Sequence, residues 1–337
     1  MTRGASTLVG TGKPLYDYFT LANLLQPCAA LSSTTSAFNS VNPTLAANRC
    51  TMLQANGLIS GSNTVELAAN AMAALVTAGW QSESGDLQAA MYSFATPAIA
   101  MTYSNSYGRF SVADNLCGLS FGATSATPNA PVAAAAAAVA GTFGSGNGVP
   151  LLQAASFTAA GLQDYDSNAA LCQRELAIGS SANAKRVQQG IAEALRSGNL
   201  HGKPALIVHG RADTLVQVAF SSRPYFGVNR MVEGNTSKLS YIEIENGQHF
   251  DAFLGFPGFA NRFIAVHRYF VQAMDMMYAN LKSGAALPPS QVVRTVPRGL
   301  TGAVANPITP ANVPPISMTA VAADQITFSA NVVTIPN

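Results

Sequence analysis

Charged side chains are scarce: only 10% of the 337 residues are Asp, Glu, Lys or Arg, against about 25% in an average soluble domain. Ala, Ser, Thr, Asn and Gly take their place, a neutral polar surface common in exported enzymes. The net charge is +2 with no basic block, so there is no electrostatic footprint for nucleic acid and no such partner is expected. Cysteine is limited to Cys28, Cys50, Cys117 and Cys172. None forms a CxxC pair or lies at metal-ligand spacing from a histidine, so no metal is expected. The even count fits two disulfides in an oxidising compartment, with Cys28–Cys50 favoured by its short loop. The other reading is four buried thiols, since a free cysteine packs like a small hydrophobe.

Long apolar runs are also missing. The longest, Ala130 to Ala140, is too short and too rich in alanine to span a bilayer, and no membrane association is expected. Met1-Thr2-Arg3-Gly4 leads into no apolar stretch long enough for a signal core. Secretion, extracellular or periplasmic, is the expectation, with the signal upstream of this chain. The loop Gly144-Ser145-Gly146-Asn147-Gly148 has no strand before it. A phosphate cradle is therefore not expected there, and no cofactor is expected.

What is present divides into three stretches. Residues 1–179 read as mostly helical. Asn63 is an N-cap with Glu66 three positions on, and Leu67, Met72, Leu75 and Val76 form an apolar face up to Gly79. A helical segment at about Asp86 to Phe94 is expected to break at Pro97, and residues 123–150 to form a loop around one alanine-rich helix. Residues 180–283 change texture. A helix from Ser181 to Arg196 is followed by Pro204-Ala205-Leu206-Ile207-Val208, an apolar run suited to a strand buried on both faces. A second strand, Leu239 to Ile244, and a helix over Asn261 to Leu281 complete a helix–strand–helix–strand–helix order. That order predicts α/β architecture with a parallel sheet. Residues 284–337 hold 8 of the 18 prolines and read as a tail with one strand-like run, Gln325 to Ile335.

The chemistry gathers at two strand ends. His209-Gly210-Arg211-Ala212-Asp213 follows the first strand, and Asn246-Gly247-Gln248-His249-Phe250-Asp251 follows the second. An acid after one parallel strand and a histidine after the next is how an α/β-hydrolase ends its triad. Asp213 and His249 are therefore the candidate catalytic residues: the acid fixes the imidazole's tautomer and stabilises the imidazolium formed during attack. As an alternative, Asp213 is an ordinary turn residue and His249 a satisfied loop histidine. His209 is expected to shape the acid loop, His267 to pack within a helix, and Asp251 to point away from the pair. The one G-x-S-x-G match, Gly118-Leu119-Ser120-Phe121-Gly122, lacks a buried strand before it and a helix after it, so Ser120 is a poor nucleophile. The elbow and most of the sheet are then expected upstream of Met1.

Longer matches carry a resemblance. Gly12-Lys13-Pro14-Leu15-Tyr16-Asp17-Tyr18-Phe19-Thr20, Tyr107-Gly108-Arg109-Phe110-Ser111-Val112 and Asp114-Asn115-Leu116-Cys117-Gly118 resemble the D-(−)-3-hydroxybutyrate oligomer hydrolases. So do His209 to Val216, Ser222-Arg223-Pro224-Tyr225, Ser237 to Glu243 and Gln248 to Phe253. The resemblance implies a serine esterase, exported by bacteria that degrade polyhydroxybutyrate, turning soluble oligomers into monomers. It implies a longer protein, with the nucleophile upstream of the matched region and no counterpart here. Gln217 stands where the family more usually has proline. Residues 12 to about 180 would be a helical lid insertion. Tyr16, Tyr18, Phe19, Tyr103, Tyr107 and Phe110 would line a cleft for short polyester chains, or simply form the lid's own core. Two other readings stay open: an esterase of the tannase or feruloyl type, told apart by bulkier aromatic substrates, or a non-catalytic binding or inactive truncated product.

Overall fold

A computed structural model describes residues 13–32, 41, 43–81, 92–111, 114–124, 131–133, 151–153, 167–194, 196–256 and 258–337. The chain divides into two units, Thr11–Leu195 and Arg196–Asn337. The class is mixed α/β.

The first unit is mostly helical: α1 (Lys13–Ala29), α2 (Pro43–Ala55), α3 (Thr64–Ala78), α4 (Tyr92–Gly108), α5 (Ser167–Ile178) and α6 (Ala182–Glu193). The local signals act as expected at α3, where the Asn63 side chain accepts from the Glu66 backbone N–H at 3.0 Å and Glu66 reaches back to the Ser62 N–H at 2.8 Å. Ser181 caps α6 in the same way, through the Ala184 N–H at 3.1 Å. The helix α6, expected with the strands that follow it, groups with Thr11–Leu195. There Val187 and Ile191 pack against Tyr16 and Leu176.

Proline behaves differently from the sequence reading. Pro97 lies inside α4 rather than ending it; losing one backbone bond is offset by the helix's packing. Pro27 lies inside α1 and removes the N–H that Asn23 C=O would receive. The fully buried guanidinium of Arg49 fills the gap, donating to Asn23 O at 2.6 Å and Leu24 O at 3.0 Å. The disulfide Cys28–Cys50 joins the same two helices, and Cys117–Cys172 ties the segment after α4 to α5. Three short strands, β1 (Leu119–Thr124), β2 (Pro131–Ala133) and β3 (Leu151–Gln153), form an antiparallel sheet in the order β2-β1-β3. Of the alanine-rich stretch, 131–133 is strand, while 134–150, with its glycine loop, lies outside the described residues, as do residues 82–91.

The second unit is built on a parallel sheet, β4 (Ala205–Gly210), β5 (Leu239–Ile244) and β6 (Gln291–Val293), in the order β4-β5-β6. Helix α7 (Ser222–Glu233) connects β4 to β5, and α8 (His267–Ser283) connects β5 to β6. The side-chain period of two sorts the strands onto two cores. Leu206, Val208, Ile242 and Ile244 meet Tyr269 of α8 with Val313 and Ile316 of the tail. Ala205, Ile207 and Tyr241 meet Phe226 of α7 with Ile326 and Val333. The tail thus supplies a third strand and part of each core. It also forms two small hairpins, β7 (Leu300–Thr301) with β8 (Val304–Ala305), and β9 (Thr327–Ser329) with β10 (Val332–Thr334).

One expectation is corrected. The apolar run of β4 is only half-buried from Ala205 to His209, whereas β5 is buried throughout. Among the described residues β4 pairs on one side only, with β5. An open apolar edge recruits other chains, so this chain alone is expected to self-associate with rising concentration in size-exclusion chromatography. A sharp monomer peak with one cooperative thermal transition would count against an open edge. Separately, closing loops of 22 and 55 positions predicts, on chain entropy, about 3 kcal/mol for Cys28–Cys50 and about 4 kcal/mol for Cys117–Cys172. Thermal melts of paired Cys→Ala variants measure both, and an equal or reversed order would refute the entropic account.

Candidate active site

The parallel register sets Gly210 beside Ile244, so the loops after β4 and β5 leave the same end of the sheet together. They are pressed into contact. A Cβ on Gly210 would lie 2.5 Å from Gly247 O, and one on Gly247 would lie 2.9 Å from Gly210 Cα. Only glycine lets the two backbones approach this closely. Ala212 N–H then donates to Gly247 O at 3.0 Å, and Thr214 Oγ donates to Gln248 Oε1 at 3.1 Å. Asn246 turns the second loop with φ at 56°, a left-handed conformation Asn tolerates.

This stitching brings the two expected residues together. Asp213 Oδ1 accepts the backbone N–H groups of Leu215 and Val216, each at 2.8 Å, which fixes the carboxylate plane. Oδ2 receives His249 Nδ1 at 2.8 Å and His209 Nε2 at 3.1 Å. Asp213 is 2% exposed. Burial alone would raise its pKa, but the hydrogen bonds from His209 and His249 outweigh it and bring it to about 2. His249 presents its other nitrogen without a partner among the described residues, with a quarter of its side chain exposed (27%). Beside it lies a cleft of about 670 Å³, lined by residues between Val208 and Phe270 that include Asp213, Gln248, His249, Phe250 and Phe270.

The remaining expectations resolve as follows. Asp251 caps α8, accepting from Val266 N at 2.6 Å and His267 N at 3.1 Å, and so is committed to that helix's first turn. His267 lies within that helix as expected, as its first residue. Ser120 sits in β1, an antiparallel strand paired with β3, and not at a strand-to-helix turn. Within the helical unit Tyr16, Tyr18 and Phe19 are buried, and Tyr103, Tyr107 and Phe110 pack around them or beside them.

Sequence reasoning missed a second polar cluster under the loops. Glu243, wholly buried on β5, is held by Arg211 Nε at 2.5 Å, Arg223 Nη2 at 2.5 Å and Tyr241 Oη at 2.8 Å. Burial raises its pKa, and the charge and hydrogen bonds of Arg223, then Arg211, bring it down to about 2. The same burial, reinforced by Glu243, raises Tyr241 well above 10. The signal was there: a carboxylate within Ser240-Tyr241-Ile242-Glu243-Ile244 demands a partner if the strand is buried. Ser222 Oγ approaches His209 Nδ1 at 2.7 Å, so Ser222, His209 and Asp213 mimic a triad. Ser222 is buried, does not line the cleft, and its proton goes to Tyr241 Oη at 2.9 Å, so it is no nucleophile.

The 3HB-oligomer hydrolase family profile matches residues 1–337. The chain belongs to that family. It is 66% identical over 99% of its length to a D-(−)-3-hydroxybutyrate oligomer hydrolase of Polaromonas naphthalenivorans, covering 50% of that protein. Proteins of the same name from Albidiferax ferrireducens and Cupriavidus necator are 65% and 47% identical, with 51% and 50% of their lengths covered. The chain therefore spans about half the length of the curated relatives it matches. No solved structure matches it.

Asp213 and Glu243 both titrate below their ordinary values of 3.8 and 4.5. Their stabilisation is complete above about pH 4.5 and is lost as pH falls toward about 2, because the unfolded chain then binds more protons. Thermal melts across that window are expected to show a shallower pH slope for Asp213→Asn than for the wild type. Identical slopes would mean that Asp213 gains nothing from its two histidines.

Proposed function

We propose that this chain supplies the acid and the histidine of a serine-esterase triad that hydrolyses D-(−)-3-hydroxybutyrate oligomers to monomers. The observation that carries the reading is the 2.8 Å contact of His249 Nδ1 with Asp213 Oδ2, with Nε2 without a partner among the described residues. With Nδ1–H given to the carboxylate, Nε2 is the basic nitrogen. It takes the proton of an attacking hydroxyl and returns it to the leaving alcohol, while Asp213 stabilises the imidazolium in between. The relatives' names supply the substrate class, short esters of a hydroxy acid.

On this reading the three-stranded parallel sheet is the carboxyl-terminal part of an α/β-hydrolase sheet, and the helical unit is its lid-type insertion. The nucleophile belongs to the half of the relatives' length that this chain does not span. Among the described residues no serine is hydrogen-bonded to His249, which favours that assignment. Two disulfides and the sparse charge support an exported protein, extracellular or periplasmic.

The test is hydrolysis of hydroxybutyrate dimer and trimer. The 337-residue chain alone is expected to be inactive. In a full-length form, Asp213→Asn should lower turnover by about 10⁴ and His249→Ala by about 10⁶. Ester hydrolysis by this chain alone, abolished by Ser120→Ala, would overturn the assignment.

A further inference from the structure

We propose that His209 is held as a doubly protonated imidazolium by a one-way hydrogen-bond relay from Glu243, and is the positioning residue for Asp213. The second half of this inference rests on the esterase reading; the first half does not.

The argument is a count of hydrogens. Four contacts join the buried carboxylate to the acid: Glu243 Oε2 with Tyr241 Oη at 2.8 Å, Tyr241 Oη with Ser222 Oγ at 2.9 Å, Ser222 Oγ with His209 Nδ1 at 2.7 Å, and His209 Nε2 with Asp213 Oδ2 at 3.1 Å. Glu243 is ionised between two guanidinium groups and can only accept. Tyr241 must therefore donate to it, which spends its single hydrogen. Ser222 must then donate to Tyr241, which spends its own. Nδ1 of His209 faces an oxygen with no hydrogen left to offer, so Nδ1 donates. Nε2 faces two acceptors, Asp213 Oδ2 and Val216 O at 2.9 Å, so Nε2 donates as well. A ring that donates from both nitrogens is cationic.

The groups around His209 are Tyr241 and Glu243 on β5, Ser222 and Arg223 on α7, and Arg211 and Asp213 on its own loop, with His249 beyond the shared carboxylate. Both arginines are engaged by Glu243, leaving Asp213 as the counter-ion that His209 touches. The relay has two consequences. Asp213 is anchored at Oδ2 from below as well as at Oδ1 by the backbone, so its free direction points only at His249. A carboxylate already shared with one cation also attracts a second less strongly.

Four histidines make the experiment direct. The probe is ¹⁵N-labelled imidazole, read in solution or, if the chain self-associates, in the solid state, and assigned by single histidine substitutions. Near neutral pH, His209 is expected to show two protonated nitrogens. In Tyr241→Phe, Ser222 can turn its hydrogen onto Nδ1, and His209 should become neutral with its proton on Nε2. Ser222→Ala, which removes the acceptor for Nδ1, should do the same and serves if Tyr241→Phe fails to fold. A hydrogen-free nitrogen on His209 in the wild type, or two protonated nitrogens persisting in both variants, would overturn the relay.

In a full-length form, the acid limb of the kcat/KM profile should move to higher pH in these variants, with KM little changed. Turnover should fall roughly 10–100-fold, the range for outer partners of ligating histidines. An unmoved profile despite the change at His209 would overturn the positioning role alone. If His209 is cationic yet Asp213→Asn keeps full activity, the esterase reading falls while the relay stands.

Discussion

Everything at this site hangs on the parallel pairing of β4 with β5. It places Gly210 opposite Ile244, and the two chains run out of the sheet so close together that neither Gly210 nor Gly247 has room for a side chain. The loops cannot separate without breaking Ala212 N–H to Gly247 O and the Thr214–Gln248 contact. Asp213 and His249, 36 positions apart in sequence, are thereby held as near neighbours by backbone rather than by flexible side chains. A site mounted this way keeps its geometry without needing the carboxylate–imidazole bond itself to supply the order.

The same register has a second effect, on charge. His209 and Glu243 are paired positions on adjacent strands. Both are polar and lie side by side, so each must find partners nearby. In a chain with 18 basic and 16 acidic residues in all, Arg211, Glu243 and Asp213 are buried together with the partly buried Arg223. Burying ions is unfavourable unless each is paired and fully hydrogen-bonded. That requirement gives the cluster its specificity: any register slip by one residue would move Glu243 to the other face, among Ile264, Tyr269 and Val313.

How much of this was legible depended on the range of the signal. Asn63 with Glu66, and Ser181, are local signals, and their helices begin where the caps stand. Asp213 and His249 were legible because strand order converts sequence order into spatial order in a parallel sheet. The relay was not, since its links between elements join residues 13 and 19 positions apart, on β4, α7 and β5. Pro97 misled because packing of α4 outweighs one missing backbone bond. Of the two readings left open for the six aromatics, Tyr16, Tyr18 and Phe19 show burial in the helical unit's own core, since side chains of that size bury readily. The run at β4 was read as buried on both faces from composition alone, whereas burial depends on a neighbouring strand that composition does not reveal.

Asp213 thus serves two histidines whose surroundings make them unequal. His249 is exposed at one nitrogen, stands edge-on to Phe250 with ring centres 4.2 Å apart, and borders the cleft. His209 is closed on every side that carries a nitrogen, by Ser222, Asp213 and Val216. A ring with both nitrogens committed to fixed partners cannot collect a proton from an outside group, and a ring with one open nitrogen can. The shared carboxylate gives each histidine the same hydrogen-bond acceptor; what separates the two rings is which of them can reach solvent. The choice was made by the crossover helix α7, whose first turn brings Ser222 against His209, while nothing comparable covers His249 among the described residues.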